Sequence, residues 1–260
     1  LLPFLNAVAT CKANFALLSH LHIYIDSHKQ TPQPLPRAEL TQFLSFFFPK
    51  EETIVFFMNE KDGLLVITPK ESALGLGAFE RGLQESLPDL TFTVEVRGFD
   101  PLGLEALIKM VEPYILAGGH VARTLLSRMR RMRNCIMVLD DDKMVTHQVE
   151  KLMAAAGHVV PLNNPNELLA QYTQYAPDIL FLDIHMRTVK GNQLLRDLLR
   201  DVDPYAHVVM ISSDTEERTV LDIKQAGAKG FIVKPFTRQG LMQHLFRAPT
   251  FMPVCPPRYT

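Results

Sequence analysis

The 260-residue sequence has little excess charge, few cysteines and no long uninterrupted apolar run. Its 27 Lys and Arg residues nearly balance 28 Asp and Glu residues, leaving a formal net charge of −1. That balance gives no reason to expect nonspecific attraction to nucleic acid or to a membrane surface. The three cysteines, Cys11, Cys135 and Cys255, match no metal or disulfide spacing, which favours a reducing compartment, the cytoplasm by default.

The most apolar stretch, residues 1–21, is interrupted by polar side chains that include Asn6, Lys12 and Asn14. A membrane-spanning helix needs about 20 predominantly apolar residues. We therefore predict one or two core-facing helical turns here, rather than a membrane anchor or a signal segment. Because the sequence does not begin with Met, we treat its true start as undefined.

The second half of the sequence alternates short β-rich runs with segments of helical period, and the length allows two domains. Strands are predicted near 135–140, 158–161, 178–182, 207–211 and 230–233, and helices near 143–156, 165–174, 191–201, 215–226 and 237–247. This alternation predicts β-α-β units, and hence a doubly wound α/β domain over 135–247 with a five-stranded parallel sheet. Residues 248–260 are predicted to be a Pro-rich tail.

The first half, residues 1–120, predicts an α+β domain with the element order β-α-β-β-α-β-α. The predicted elements are a strand at His22–Ile25, a helix at Arg37–Phe48, strands at Thr53–Met58 and Leu64–Thr68 joined through Lys61-Asp62-Gly63, a helix from the capping box Thr68-Pro69-Lys70-Glu71 to Ser86, a strand at Thr91–Val96 and a helix at Leu102–Leu116. This order suggests a ferredoxin-like sandwich.

An Arg-rich helical linker is predicted between the two domains, over 121–134. Its arginines are interleaved with leucine and methionine: Arg123, Arg128, Arg130, Arg131 and Arg133 alternate with Leu125, Leu126, Met129 and Met132. One interpretation is a solvated connecting helix; the alternatives are a signalling or dimerising helix, which would make the protein a homodimer, or a basic patch for an acidic partner.

Polar residues follow four of the predicted strands of the second domain. They are the run Asp140-Asp141-Asp142, Asp183, Ser212 and Lys234. Ligands of an open parallel sheet bind outside the carboxyl ends of its strands, so these side chains are expected to converge on one crevice.

Three converging carboxylates would repel one another, since two unit charges about 4 Å apart cost about 4 kcal/mol at an effective dielectric constant near 20. A hard divalent cation such as Mg²⁺ would neutralise them, with Lys234 as a second positive group. Asp183, alone after the central strand, is the best nucleophile toward phosphorus, and Asp140 and Asp141 are better placed to hold the metal. Ser212 would add a donor to a phosphoryl cradle.

These residues resemble the receiver domain of two-component response regulators over about Cys135–Arg247. Val138–Asp142 resembles the family's acidic pair, Phe181–Met186 its phosphoacceptor segment, Ser212 its switch Ser/Thr, and Gly230–Phe236 its Lys-Pro segment with Phe231 at the switch-aromatic position. Asp141, Asp183, Ser212 and Lys234 follow one another at intervals of 42, 29 and 22 residues, which suit the family.

The resemblance implies a bacterial phosphorelay protein that takes a phosphoryl group on Asp183 from a histidine kinase or phosphotransfer protein. It implies Mg²⁺ bound by Asp141, Asp183 and the main-chain carbonyl of His185, with Asp140 acting through water. It also implies a cis Lys234-Pro235 bond. Ser212 would move toward the phosphoryl group, and Phe231 would turn inward behind it. Such a protein modifies itself and turns over no external substrate.

Two positions depart from the family pattern. Arg187 stands where Pro is usual, and Lys190 replaces a common acidic residue. We expect an altered loop shape or partner choice and an intact phosphoacceptor. His185 is either an exposed loop residue or an influence on phosphate lifetime, and Asp142 and Asp214 are expected to cap helices.

Other functions stay open as alternatives. The first domain could be an enzyme controlled by the receiver, such as a degenerate nucleotide cyclase relative, although it has no phosphate loop and no paired acidic site near Asp26. The receiver could instead act without phosphate, as a degenerate adaptor. No segment of residues 1–134 reads as a helix-turn-helix, so direct DNA binding is not expected. The first domain is best described as a sensory, dimerisation or adaptor module.

Overall fold

The computed structural model describes residues 1–26, 36–48, 51–58, 63–70, 75–213 and 217–253. The chain forms two compact units, Leu1–Val8 with Asn14–Leu116, and Ala9–Ala13 with Ala117–Thr260. Among these residues no helix has the length and apolar character needed to cross a membrane.

The first unit has a four-stranded antiparallel sheet with helices between its strands. Its elements are α1 (Leu2–Thr10), a 3₁₀ helix (Lys12–Leu17), β1 (Leu18–Asp26), α2 (Arg37–Phe47), β2 (Ile54–Phe57), β3 (Leu64–Pro69), α3 (Leu76–Ser86), β4 (Thr91–Gly98), α4 (Pro101–Val111) and a 3₁₀ helix (Glu112–Tyr114). Residues Ala9–Ala13, at the end of α1 and the start of the first 3₁₀ helix, belong to the second unit. The strand order is β2-β3-β1-β4. This α+β architecture follows the predicted order and is the split β-α-β-β-α-β arrangement of ferredoxin-like domains.

Both faces of this sheet are covered by apolar side chains. On one face a core of β1, β3, α2 and α3 residues includes Leu21, Leu44 and Phe79. Phe56 of β2 points to the other face, where its ring stacks on Phe4 of α1 with 4.8 Å between centroids. The predicted helical turns at the start of the chain are confirmed as α1.

The capping-box prediction at Thr68 is wrong. Thr68 is fully buried in β3 and pairs with Ser19 of β1, while α3 begins at Leu76 without a side-chain cap. Pairing along the sheet outweighed the local capping signal, as tertiary context often does. Strand β1 also starts at Leu18, four residues before the predicted strand. Lys61, Asp62 and Glu71 lie outside the described residues.

The second unit contains the predicted five-stranded parallel sheet. Its elements are α5 (Ile115–Arg130, reaching back two residues into the first unit), β5 (Asn134–Leu139), α6 (Lys143–Met153), β6 (Gly157–Leu162), a 3₁₀ helix (Pro165–Glu167), α7 (Leu168–Tyr175), β7 (Ile179–Asp183), α8 (Gly191–Asp197), a π-helical turn (Leu198–Val202), β8 (Val208–Ser212), α9 (Glu217–Gln225), β9 (Gly230–Val233) and α10 (Arg238–Leu245). The strand order β6-β5-β7-β8-β9 is the flavodoxin-like order, in which ligands bind where the order reverses, outside β5 and β7.

The Arg-rich segment is not a solvated connecting helix. Leu125, Arg128 and Met129 of α5 are almost fully buried, and the helix ends at Arg130, so that Asn134 already belongs to β5. The Arg128 guanidinium donates to the Asp203 carboxylate at 2.6 Å and to the Tyr172 hydroxyl at 2.6 Å. The helix therefore packs as part of the second unit through a buried ion pair.

A second buried carboxylate, Asp178, lies just before β7. It accepts from Arg131 at 3.2 Å, from the Thr250 hydroxyl at 2.6 Å and from the main-chain N–H of Cys135 at 2.8 Å. The Lys12 ammonium is 3.8 Å away, and burial lowers the pKa of Lys12 to about 8. Thr250 belongs to the segment predicted as a tail, and so does Met252, whose main chain hydrogen-bonds to the Asn134 side chain, so this part of the segment contacts the domain; residues 254–260 lie outside the described ranges.

Arg128→Met is expected to destabilise the second unit by about 3–5 kcal/mol, because it leaves the Asp203 carboxylate buried without its ion-pair partner. Urea unfolding at neutral pH measures the change. Arg123→Met, at an exposed position of the same helix, is the matched control and should change stability by less than about 0.5 kcal/mol. Equal effects of the two substitutions would contradict the assigned role of Arg128.

The first unit should lose stability in mild acid because of His20. Its Nε2–H donates to the Gly103 carbonyl at 2.9 Å, its Nδ1 is buried without a partner, and burial lowers its pKa to about 4. The unfolded chain, with a His pKa near 6.5, binds the extra proton first, so stability falls as pH drops from about 6.5 toward 4, by about 1–2 kcal/mol between pH 7 and pH 5.

Thermal unfolding at the two pH values compares wild type with His20→Gln, whose amide can keep the Gly103 hydrogen bond without titrating. The variant should show a smaller loss at pH 5, while His158→Gln, at an exposed position, should behave as wild type. An unchanged pH dependence in His20→Gln would show that other groups set the acid sensitivity.

Candidate functional site

Three carboxylates meet at the carboxyl edge of the parallel sheet. Asp140 directly follows β5, Asp141 is next to it, and Asp183 is the last residue of β7, the neighbouring strand. One carboxylate oxygen from each lies within 4.8 Å of those from the other two. Asp140 and Asp183 are almost fully buried and Asp141 is half-buried, so the predicted convergence of these residues occurs.

The Lys234 ammonium bridges two of these carboxylates. It donates to Asp140 Oδ2 at 2.7 Å and to Asp183 Oδ1 at 2.8 Å. Lys234 follows β9, and its main-chain N–H donates to the Ser212 carbonyl at 2.7 Å, which fixes the base of the side chain. The Lys234-Pro235 peptide bond is cis.

Burial and charge act against each other in this cluster. Burial raises the pKa of Asp140, and the hydrogen bonds from Lys234 and from the Asp142 N–H only partly offset that rise. For Lys234, burial alone would lower the pKa, but hydrogen bonds and charge from Asp140 and Asp183 outweigh it, so the pKa is raised. Lys234 therefore stays charged at neutral pH and keeps its place between the two carboxylates.

The turn after β5 is held by local hydrogen bonds. Asp140 Oδ1 accepts from the Asp142 N–H at 2.9 Å, and the Asn163 amide donates to the Asp140 carbonyl at 2.8 Å. Asp142 accepts from the Met144 N–H as the N-cap of α6, which confirms its predicted capping role. These contacts orient Asp140 toward Asp183.

The predicted switch residues lie on the two strands beyond β7. Ser212 is the last residue of β8 and is fully buried, and Phe231 lies on the adjacent strand β9, half-buried against the main core. Ser212 pairs in register with Val233 and Phe231 with Met210. Ser212 thus lies at the same carboxyl edge as Asp183 and Lys234, while Phe231 lies two residues before the end of β9.

The loop between β7 and α8 closes over the strand end through Gly191. A Cβ at Gly191 would lie 2.1 Å from the Asp183 carbonyl oxygen, and the Gly191 N–H donates to the Ile184 carbonyl at 3.0 Å. Between these points His185 is exposed and pairs with Lys190 in a single antiparallel bridge.

Arg187 in the same loop lies against the acidic cluster. Its main-chain N–H donates to Asp141 Oδ2 at 3.0 Å, and its guanidinium Nε lies 3.6 Å from the same oxygen. All three carboxylates of the cluster therefore have a cationic partner from the chain itself.

The cluster fits a hard divalent cation. Its donors are carboxylate oxygens, which are the ligands that Mg²⁺ prefers, and their mutual distances allow a single ion to contact all three residues. Asp140, Asp141 and Asp183 would hold such an ion. The His185 carbonyl stays a predicted fourth ligand.

Comparisons with known proteins identify the domain that contains this cluster. A family model described as "Response regulator receiver domain" matches residues 136–246. The chemotaxis protein CheY of Listeria monocytogenes is 30% identical over 115 residues, which cover 44% of this chain and 96% of that protein. The chain belongs to the response regulator receiver family.

Two further proteins are similar to part of the chain. CheY of Bacillus subtilis is 28% identical over 114 residues, covering 43% of this chain and 94% of CheY. A solved structure of CheY4 from Vibrio cholerae is 21% identical, with a TM-score of 0.42, and covers 45% of this chain and 98% of that one. The family match begins at residue 136, so the first unit lies outside it.

Sequence reasoning identified the strand-end residues of the receiver domain but missed two contacts in the surrounding loops. Arg187 was expected to alter only loop shape or partner choice, yet it binds the Asp141 carboxylate. Asn163, which supports Asp140, was not singled out. The sequence feature that could have identified Asn163 is its position directly after β6, because the carboxyl end of β6 lies beside that of β5. Asp214 lies outside the described residues.

Gly191→Ala is expected to destabilise the receiver domain by about 1–3 kcal/mol, because the added methyl group overlaps the Asp183 carbonyl oxygen unless the loop shifts. Gly240→Ala, inside α10, is the control: its Cβ would lie 3.6 Å from Thr237 Oγ1, an ordinary contact. That control should be neutral or stabilising by up to about 1 kcal/mol. Urea unfolding measures both, and equal values would contradict the close approach at Gly191.

Proposed function

We propose that this protein is a response regulator whose Asp183 accepts a phosphoryl group from a histidine kinase or a phosphotransfer protein. The observation that carries the proposal is the Lys234 ammonium, which lies within 2.8 Å of both Asp140 and Asp183. A carboxylate beside a fixed ammonium and two further acidic groups has the charges that phosphoryl transfer requires.

In the proposed reaction a carboxylate oxygen of Asp183 attacks the donor's phosphorus in line. The P–O bond to Asp183 forms as the bond to the donor's leaving group breaks, and the leaving group departs on the opposite side. Lys234 moves one hydrogen bond from Asp183 Oδ1 to an equatorial phosphoryl oxygen, where it stabilises charge. A Mg²⁺ ion held by Asp140, Asp141 and Asp183, with the His185 carbonyl, would neutralise the remaining charge.

The proposed switch uses Ser212 and Phe231. A hydrogen bond from Ser212 to the phosphoryl group would draw the end of β8 toward Asp183, and Phe231 would move into the space behind it. The surface formed by α9, β9 and α10 already exposes apolar side chains, which include Leu221, Val233 and Phe246. A change on this surface would alter contacts with a downstream protein.

The protein would act in the cytoplasm as a signalling protein, without turnover of an external substrate. The first unit would serve as a sensory, dimerisation or adaptor module.

The full chain incubated with Mg²⁺ and a small-molecule phosphodonor should gain one phosphoryl group in intact-protein mass spectrometry. Asp183→Asn should abolish the adduct, because the amide is not nucleophilic, and EDTA should prevent its formation. Asp197→Asn, a carboxylate on α8 away from the cluster, is the matched control and should be labelled as wild type.

An undiminished adduct in Asp183→Asn would refute Asp183 as the acceptor. No adduct in the wild type, when a control receiver is labelled under the same conditions, would instead favour the phosphate-independent adaptor.

A further inference from the structure

The acidic cluster has two cationic partners of different character. Lys234 binds Asp140 and Asp183 and is only 21% exposed, whereas the Arg187 side chain at Asp141 is 91% exposed. Three carboxylates thus face two cations, and only one of these cations is held inside the protein.

Arg187 approaches Asp141 with two different groups. The main-chain N–H is 3.0 Å from Oδ2, a hydrogen-bond distance, and the guanidinium Nε is 3.6 Å from that oxygen, a distance typical of a loose ion pair. The N–H is fixed by the backbone, while the guanidinium is free to exchange with solvent because of its exposure.

We propose that the Arg187 guanidinium is a built-in competitor for the divalent cation at Asp141, and that the Arg187 N–H orients the same carboxylate for metal binding. This inference rests on the metal site of the proposed function and adds a residue that tunes it. A guanidinium beside the cluster opposes an incoming Mg²⁺ by charge repulsion and by sharing Asp141 Oδ2. The N–H carries no net charge, and it limits the rotation of the carboxylate.

The size of the effect follows from the exposure of the ion pair. Exposed pairs contribute little and are screened by salt, so the competition should change Mg²⁺ affinity by about two- to fivefold at low ionic strength and less at high ionic strength. Arg187 would therefore adjust the Mg²⁺ concentration at which the site fills, without closing the site.

Two substitutions separate the two groups of Arg187. Arg187→Ala removes the guanidinium and keeps the N–H, and Arg187→Pro removes both, since proline has no main-chain N–H. Arg200→Ala is the matched control, because it deletes the same charge from an exposed arginine whose partners are Asp197 and Asp201.

Calorimetric titration of each full-length protein with MgCl₂ measures affinity without reference to phosphorylation. Arg187→Ala should bind Mg²⁺ about two- to fivefold more tightly than wild type at low salt, with a smaller gain at high salt. Arg187→Pro should bind more weakly than Arg187→Ala, and Arg200→Ala should match wild type.

Three results would overturn the inference in distinguishable ways. Unchanged or weaker binding in Arg187→Ala at low salt would refute competition, and an equal gain in Arg200→Ala would assign the effect to net charge. Equal affinities of Arg187→Pro and Arg187→Ala would refute the role of the N–H. Absence of Mg²⁺ binding in the wild type would instead remove the metal from the proposed function itself.

Discussion

The hydrogen-bonded contact of Lys234 with Asp140 and Asp183 is the interaction on which the carboxyl edge of the parallel sheet depends. Buried carboxylates this close together are unfavourable without a positive partner, because desolvation and mutual repulsion add. The strand order explains why the partner is a lysine. β9 is separated from β7 by β8, so a group that starts after β9 reaches Asp183 only through a long side chain. The main-chain hydrogen bond from Lys234 to Ser212 fixes where that side chain begins.

The opposite edge of the sheet also contains buried carboxylates, but their surroundings differ in kind. Asp178 and Asp203 lie before β7 and β8, and each is saturated with donors from α5, from Tyr172 or from the segment after α10. A saturated carboxylate has no capacity for a ligand, and its partners are lost only at a large cost in stability. The carboxyl edge, by contrast, has three acidic groups and, among the described residues, only two cationic partners, Lys234 and Arg187, and the Arg187 side chain is exposed. The difference in hydrogen-bond saturation therefore separates the structural edge from the candidate site.

Most of the second unit was predictable from sequence because its three inner strands, β5, β7 and β8, are buried on both faces. Such strands read as short apolar runs, and β5, β7 and β8 lie within one or two residues of their predicted positions. The site followed from them, since strand ends converge by topology. Burial of Arg128 was not predicted because an arginine normally indicates solvent, although Leu125, Leu126 and Met129 marked the buried face of α5. The start of α3 was missed because a four-residue capping pattern carries no information about the pairing of Thr68 with β1.

Lys234 and Arg187 divide the neutralisation of the cluster according to their exposure. Removing Lys234 from its site would leave two buried carboxylates unpaired. Its ammonium is therefore expected to shift only when another acceptor, such as a phosphoryl oxygen, replaces one of the two carboxylates. Arg187 loses little on leaving Asp141, because its guanidinium is solvated and the Arg187 N–H remains bound to the same oxygen. In the proposed function a cation would therefore enter most easily at Asp141, and Lys234 would pass a hydrogen bond to a phosphoryl oxygen at Asp183. Under the proposed function, the order of exposure along the cluster, from the Arg187 side chain outside to the Lys234 side chain inside, would favour metal binding before phosphoryl transfer.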